Sequence, residues 1–249
     1  ALTRLADSFA QGIRTRLAAR QLLASEDATA DIYATPRRLA VHLPGVRAQA
    51  DAREIRVKGP SVAVGLDAQG QPTMALIKWA EKQGAEVSAL TRGHDGKQDV
   101  FYWSSTQPGA VLADVIGEII VETLAQLPIP KFMTYQLVDG LTTVSFVRPA
   151  HRLVVLHGDA VLPCRVLGLA ADRITDGHRF LSSGPITLEN ADSYARQLRE
   201  QGHVEPEYQA RRVMIANELA HASQQNGGIL AVNDEEQQQV TALLDEVAA

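Results

Sequence analysis

The apolar face between Pro108 and Pro128 constrains the fold more than any other feature of this sequence, because other parts of the chain must cover it. Apolar side chains recur there at the three- and four-residue steps of a helix. They are Val111, Leu112, Val115, Ile116, Ile119, Ile120, Leu124 and Leu127. Proline suits a helix start, and Pro128-Ile129-Pro130 ends the helix sharply. The segment therefore predicts one core helix with partners elsewhere in the chain.

The region before this helix predicts a mixture of helices and strands. Helical spacing recurs in residues 1–24, whose apolar positions are Leu2, Leu5, Phe9, Ile13 and Leu17. Residues 31–47 change to the two-residue period of a strand, with an extended Thr35 before Pro36. A second strand around Ile55 and Val57 is expected to close at Gly59-Pro60.

Two shorter elements precede Pro108. A helix is expected from Pro72 to about Gln83, with Gly84 after its end. Asp95-Gly96 supplies turn chemistry before a strand at Val100–Trp103.

Residues 143–167 predict a strand-rich region with a hairpin at its centre. Gly158-Asp159 supplies a two-residue turn, which fixes a register in which paired residue numbers sum to 317. That register places Arg152 opposite Arg165, and Cys164 opposite Leu153. Two facing arginines need an anion between them or an acidic partner. Either a phosphate-binding face or an ordinary salt bridge to an aspartate explains them; the aspartates within reach are Asp159, Asp172 and Asp176.

The chain becomes mostly helical after residue 186. We expect Asn190 to cap a helix over 191–201, Pro206 to open a second, and Asn233 to cap a third. The fold class is therefore α+β, with mixed or antiparallel strands and packed helices followed by a mostly helical C-terminal part. We predict an α+β module over 1–186, with sub-domains near 60–72 and 128–145. A helical segment over 187–249 would begin a further domain, and the chain would be a fragment.

Charge and composition restrict the function classes. The net charge of −5 resolves into +4 for residues 1–60, −4 for 61–130, +2 for 131–183 and −7 for 184–249. This balance excludes a uniformly basic nucleic-acid binder but leaves two locally basic regions. A single cysteine favours a reducing compartment, and no apolar run is long enough for a membrane span. We expect a cytoplasmic protein.

Metal and nucleotide chemistry are not expected in this chain. None of the seven histidines has another histidine or a cysteine three or four residues away. No Gly-rich loop has phosphate-binding spacing. Cys164 is expected to be a buried apolar side chain, and His151 a structural histidine rather than a catalytic base.

The candidate binding residues are cations beside proline, glycine or aromatic residues, where the backbone direction is constrained. They fall in four short segments: Thr35–Leu39, Pro128–Lys131, Phe146–His151 and Gly177–Phe180. The basic side chains are Arg37, Arg38, Lys131, Arg148, Arg152 and Arg179, with His151 and His178 beside them. Arginine suits bidentate phosphate contacts, although solvated faces and internal salt bridges are an open alternative.

The same segments carry a family resemblance. The chain resembles the N-terminal region of the β subunit of bacterial heterotetrameric glycyl-tRNA synthetase. The matching segments, in order, are Asp7–Phe9, Tyr33–Val41, Lys58–Pro60, Leu127–Lys131, Phe146–His151 and Gly177–Phe180. The Arg-Trp-Gly tripeptide usual in the family after Lys131 is replaced by Thr134-Tyr135-Gln136, and the family's opening segment before Ala1 is missing.

The resemblance implies part of an α2β2 enzyme that attaches glycine to tRNA(Gly) with ATP. It implies an α subunit that holds the catalytic core with ATP and Mg²⁺, and a β subunit that supplies tRNA contacts and further domains. It also implies a module similar to the editing-type module of the phenylalanyl-tRNA synthetase β subunit. We therefore expect no catalytic residue, metal or cofactor in this chain. Two alternatives stay open, an editing-like aminoacyl-tRNA deacylase and a structural scaffold of the synthetase.

Overall fold

The protein divides into two compact units. The computed structural model describes residues 2–25, 27, 29–137 and 139–227. Unit 1 combines Ala1–Gln49 with Val111–Ala249, and unit 2 is Ala50–Ala110. The predicted boundary near residue 186 and the predicted sub-domains stay predictions.

Six α-helices and several small antiparallel sheets form the described part of the chain, which confirms a mixed fold of helices and antiparallel strands. The helices are α1 (Leu2–Ala19), α2 (Val62–Gly65), α3 (Met74–Lys82), α4 (Leu112–Ala125), α5 (Tyr194–Glu200) and α6 (Tyr208–Gln225). The longer strands are β1 (Asp31–Thr35), β2 (Arg38–His42), β3 (Arg53–Ser61), β4 (Thr91–His94), β5 (Asp99–Gln107), β6 (Met133–Gln136) and β7 (Thr143–Phe146). The two-residue strands are β8 (Leu156–His157), β9 (Ala160–Val161), β10 (Arg165–Val166), β11 (Leu169–Ala170), β12 (Ile174–Thr175) and β13 (Ile186–Thr187).

Helices α1 and α4 pack together in unit 1, as their apolar faces predict. A Cβ at Gly12 would lie 2.6 Å from Cγ2 of Thr123, so the two helices approach too closely there for a larger residue. Arg16 adds a 2.8 Å ion pair to Glu122. Helix α4 begins at Leu112 rather than Pro108, because Val111 is extended and forms an antiparallel bridge with Gln49.

Strands β1 and β2 form a hairpin in unit 1. Thr35 pairs with Arg38, which leaves Pro36 and Arg37 as a two-residue turn. The extended conformation predicted before Pro36 is confirmed. Arg37 therefore lies in the turn at the tip of this hairpin, and Arg38 begins β2 directly after it.

Unit 2 is a three-stranded sheet in the order β3–β5–β4 with α2 and α3. The prediction that Gly59-Pro60 closes β3 is wrong, because the strand continues to Ser61 with a shift of register between Lys58 and Ser61. Gly59 lies against Trp79, whose ring atoms would be 2.8–2.9 Å from a Cβ at that position. A proline and a close-packed glycine interrupt the ladder without ending it.

The hairpin around Gly158-Asp159 keeps its predicted register only near the turn. Leu156 pairs with Val161, and the N–H of Leu162 donates to the carbonyl of Val155 at 3.0 Å. Beyond this point Val154 instead forms a parallel bridge with Asp172. The predicted long hairpin is therefore wrong outside residues 155–162.

Two further predictions depended on that long hairpin. Arg165 pairs with Ala170 in the β10–β11 hairpin, so Arg165 does not face Arg152. Cys164 does not lie opposite Leu153; its carbonyl accepts from the N–H of Ala171 at 2.9 Å. The Cys164 side chain is only half-buried, and this burial raises the pKa of its thiol.

Two of the three helices predicted after residue 186 lie in the described residues, and both are present. Asn190 caps no helix directly; its Oδ1 accepts from the N–H of Ser193 at 2.9 Å, and α5 begins at Tyr194. Helix α6 begins at Tyr208, soon after Pro206 as predicted, and ends at Gln225. The helix predicted after Asn233 lies outside the described residues, so a mostly helical C-terminal part stays a prediction.

Helix α5 is held by a small core that should dominate the stability of this region. Ile186, Leu188 and Leu198 are buried together against Val154 and Val204. We expect Leu198→Ala to lower the free energy of unfolding by about 2–5 kcal/mol, because a fully buried leucine leaves a cavity. Urea unfolding followed by circular dichroism measures the change. Leu141→Ala is the matched control, because Leu141 is 88% exposed and its truncation should cost less than about 0.5 kcal/mol.

Candidate nucleic-acid interface

One broad groove in unit 1 gathers the sequence-predicted site residues. Its volume is about 2480 Å³, whereas small-molecule pockets are roughly 300–1,000 Å³. The predicted residues that line it are Arg37, Arg38, Arg148, His151, Arg152, His178 and Arg179. Lys131 is exposed and is not among the lining residues, although its neighbour Pro130 is. Three of the four predicted segments therefore bring cations to one surface.

The β1–β2 turn presents two adjacent arginines in different environments. Thr35 Oγ1 accepts from the N–H of Arg37 at 3.2 Å, and the Arg37 side chain is exposed. Arg38 is half-buried and donates to the carbonyl oxygens of Asp176 and Gly177, the second at 3.1 Å. Burial lowers the pKa of the Arg38 guanidinium. Arg38 thus fastens the hairpin to a distant segment, while Arg37 remains available.

Asp176 is the residue on which two predicted cations converge. Its carboxylate accepts from Arg152 Nε at 3.2 Å and Nη2 at 3.3 Å. Its carbonyl accepts from Arg38. Of the two explanations for Arg152, the salt bridge to an aspartate is confirmed. The sequence analysis includes Asp176 among three possible partners of Arg152. No sequence pattern indicates that Asp176 also binds Arg38, which lies 138 residues away.

The exposed cations of the groove are unpaired within the described part of the chain. Arg37, Arg148 and Arg179 have no carboxylate within ion-pair distance there. Arg148 lies beside a fixed backbone, because the N–H of Ala150 donates to Tyr135 Oη at 3.3 Å. These guanidinium groups are the part of the surface best placed to meet an anion.

The formal charge of the groove lining is positive. Its acidic members are Asp176, Asp192, Glu205 and Glu218, and its arginines are Arg37, Arg38, Arg148, Arg152, Arg179 and Arg211. Of the acids, Asp176 is paired with Arg152, and Glu205 with Arg199 at 2.6 Å. Internal pairing of these acids leaves the exposed arginines to set the local potential.

A hydrogen-bonded histidine also lines the groove and has no counterpart in the sequence predictions. His42 contacts Asp31 at 3.0 Å through Nδ1 and Asp192 at 2.8 Å through Nε2. Partial burial lowers the pKa of His42, but the two carboxylate hydrogen bonds outweigh it and hold the pKa above its ordinary 6.5. Asp31 and His42 are paired across the β1–β2 hairpin, but Asp192 is 150 residues from His42, so no local motif could reveal the whole cluster.

A pair of tyrosines with tilted rings joins β1 to α5. The rings of Tyr33 and Tyr194 are 5.3 Å apart between centroids. Burial raises the pKa of Tyr194 to about 12, so its hydroxyl stays neutral at physiological pH. These rings are structural supports of β1 and α5.

Metal chemistry finds no support in the residues described. No group of three or more His, Cys, Asp or Glu side chains is placed to hold a metal ion among them. None of the described helices is both long enough and apolar enough to cross a membrane.

Comparison with known proteins identifies the family to which this chain belongs. The family model described as glycyl-tRNA synthetase beta subunit matches residues 1–249. The glycine–tRNA ligase beta subunit of Delftia acidovorans (strain DSM 14801 / SPH-1) is 46% identical over 255 residues, which cover 100% of this chain and 35% of that protein. The corresponding subunit of Dechloromonas aromatica (strain RCB) is 44% identical over 261 residues, covering 100% of this chain and 36% of the relative.

The chain therefore belongs to the family of glycyl-tRNA synthetase β subunits. This confirms the resemblance carried by the six sequence segments. The chain spans about a third of the length of the relatives it matches.

The two adjacent arginines of the β1–β2 turn allow a direct test of their different roles. Arg38→Ala should lower the free energy of unfolding by about 1–3 kcal/mol, because two backbone carbonyls lose a charged donor. Arg37→Ala, one residue away, should change it by less than about 0.5 kcal/mol. Urea unfolding of both variants measures the difference, and equal values would contradict the structural role of Arg38.

The His42 cluster predicts a pH-dependent contribution to stability. Because its pKa is higher in the folded than in the unfolded state, protonated His42 stabilises the fold fully below pH 6.5. That contribution is lost as the pH rises through the folded-state pKa. The excess stability of the wild type over His42→Gln should therefore shrink on raising the pH above 6.5, as measured by urea unfolding.

A matched pair of aspartate variants checks this explanation. Asp192→Asn should flatten the pH dependence of stability, since it removes one of the two charges on His42. Asp7→Asn, at an exposed position of α1, should leave it unchanged. A pH dependence that persists in Asp192→Asn would contradict the assignment to this cluster.

Proposed function

We propose that this chain supplies tRNA contacts and assembly surfaces to glycine–tRNA ligase, the enzyme that attaches glycine to tRNA(Gly) with ATP. In this proposal the partner α subunit holds the catalytic core, with ATP and Mg²⁺, in the cytoplasm. Membership of the β-subunit family supports it. We also propose that unit 1 is built like the editing-type module of the phenylalanyl enzyme, since it combines small antiparallel hairpins with packed helices.

The observation that carries the proposal is the set of unpaired arginines on one groove. Arg37, Arg148 and Arg179 come from three separate segments, and all three line the same surface. A planar guanidinium binds a phosphate through two hydrogen bonds, and several such groups along a wide groove suit a polyanionic backbone. Contacts of this kind position a nucleic acid without reading its sequence.

The remaining predicted residues divide into supports and neighbours. Arg38 and Arg152 are engaged by residues 176–177, so we assign them the support of the groove wall. His151 is exposed beside Arg152, and His178 is half-buried beside Arg179. Both histidines are hydrogen-bonding neighbours in this proposal, and Lys131 would act outside the groove lining.

The alternative of an editing-like deacylase depends on a base within the groove. The candidate is His151, and the described residues place no carboxylate against its ring to orient it or raise its basicity. The RNA-contact function needs only the cations that are present, so we prefer it.

Assembly is the second part of the proposed function. Phe132 is 47% exposed and Val213 of α6 is 57% exposed, and neither lines the groove. Exposed apolar side chains outside the groove suit contact with other protein surfaces. We propose the remaining domains of the β subunit and the α subunit as their partners.

The proposal predicts salt-sensitive binding of tRNA that depends on the unpaired arginines. The variant Arg37→Ala/Arg148→Ala should bind a tRNA(Gly) transcript roughly tenfold more weakly, since each exposed phosphate contact is worth on the order of 0.5–1 kcal/mol. The slope of log affinity against log salt should fall by about one for each arginine removed. Fluorescence anisotropy between about 50 and 200 mM salt measures both quantities.

A matched arginine variant controls for net charge. Arg4 is exposed on α1 and does not line the groove, so Arg4→Ala should leave affinity and salt slope near the wild-type values. Equal losses in Arg4→Ala and in a single groove variant would show binding by overall charge. Wild-type affinity in the double groove variant would remove the groove from the function.

A further inference from the structure

Phe180 directly follows Arg179, the last residue of this segment that lines the groove, and its ring is in solvent. The side chain is 82% exposed, and Leu181 beside it is 62% exposed. The Arg179 guanidinium lies 5.6 Å from the centre of the Phe180 ring. The His178 ring centroid lies 6.1 Å from that of Phe180, at an interplanar angle of 58°. An exposed aromatic ring is thus flanked by a cation and an imidazole.

Backbone hydrogen bonds fix the loop that carries this ring. The N–H of His178 donates to the carbonyl of Gly202 at 2.7 Å, and the N–H of Ser182 donates to the carbonyl of His178 at 3.0 Å. His178 Nδ1 accepts from the N–H groups of Phe180 and Leu181, each at 3.2 Å. The loop is therefore ordered by its own contacts, and the exposure of Phe180 does not result from a lack of them.

Close packing also fixes the backbone at the start of this loop. A Cβ at Gly177 would lie 2.5 Å from Ser182 Oγ and 2.7 Å from Gly202 Cα. Gly177 also accepts a hydrogen bond from Arg38 at 3.1 Å. Gly177 is therefore held by Ser182, Gly202 and Arg38 at the start of the segment that carries Phe180.

The surroundings of Phe180 suit a nucleotide better than an apolar protein segment. Arg179 lines the groove together with Arg37 and Arg148, and these arginines have no carboxylate partner in the described part of the chain. An apolar segment docked on Phe180 would cover the Arg179 charge without pairing it, at a cost in desolvation. A nucleotide satisfies both groups, because its base stacks on the ring and its phosphate pairs with the guanidinium.

We propose that Phe180 is a stacking platform for an unpaired base of the RNA bound in this groove, with Arg179 on the adjacent phosphate. The inference rests on the proposed tRNA-contact function and names which part of the RNA reaches Phe180. Bases inside a duplex have both faces covered by their neighbours, so only a single-stranded segment can use the ring. His178 is a positioning residue in this arrangement, since its Nδ1 holds the backbone of Phe180.

Four substitutions at Phe180 separate stacking from simple apolar contact. Phe180→Ala should weaken binding of a labelled single-stranded RNA of about twelve nucleotides by roughly 5- to 100-fold. Phe180→Trp and Phe180→Tyr should retain the affinity, because each keeps an aromatic face. Phe180→Leu keeps apolar volume without that face, and should bind as weakly as the alanine variant. Fluorescence anisotropy with the 249-residue chain measures all four.

A duplex probe and a second phenylalanine complete the design. An RNA duplex of the same length should bind all Phe180 variants as it binds the wild type. Phe132→Ala is the matched control, since Phe132 is 47% exposed on another segment and should leave single-strand binding unchanged.

The outcomes distinguish this inference from the proposed function. Wild-type single-strand affinity in Phe180→Ala, together with weak binding in Arg37→Ala/Arg148→Ala, would overturn stacking and leave the groove's function standing. Wild-type affinity in Phe180→Leu would show apolar contact without stacking and would also overturn it. Absence of measurable single-strand binding by the wild-type chain would overturn it as well.

Discussion

The bonds made by Asp176 organise the surface to which the rest of the site belongs. Its carbonyl receives Arg38 from the β1–β2 hairpin, and its carboxylate receives Arg152 from the segment before β8. One residue therefore joins three stretches of chain that are distant in sequence. Because both arginines already form hydrogen bonds to residues 176–177, they stabilise the fold more than they bind a ligand. The exposed arginines around them, which have no such partner in the described residues, keep their charge for a ligand.

This division explains how an acidic chain can present a cationic surface. The net charge is −5, but the acids of the groove lining include Asp176, Asp192 and Glu205, which are occupied by cationic or histidine partners. Interactions between exposed charges fall off within about a Debye length of ~10 Å. Local pairing, rather than the total charge, therefore sets the potential that a phosphate meets in the groove.

Local sequence patterns predicted many of the helices and turns. They did not predict the long-range hydrogen bonds and ion pairs that join the segments of the site. The apolar spacing of α1 and α4 and the turn at Gly158-Asp159 depend on residues close in sequence, and these predictions are confirmed. The hairpin register failed beyond residues 155–162 because Val154 pairs with Asp172 instead, and such a long-range bridge leaves no periodic signal. The candidate site shows the same limit. Nothing in the sequence distinguishes the roles of Arg37 and Arg38. The difference arises because Arg38 is half-buried against residues 176–177, whereas Arg37 is exposed.

The bridge between Gln49 and Val111 has a consequence for how this subunit could have been assembled. The chain leaves unit 1 after Gln49 and re-enters it at Val111, and these two residues are antiparallel partners. Next to them, the N–H of Leu112 donates to the carbonyl of Ala48 at 2.8 Å. The two ends are already as close as the ends of a hairpin. Closing them with a short turn would cost little loop entropy. Unit 2 could thus be deleted from the gene, or exchanged for another segment, while unit 1 keeps its own core and its groove.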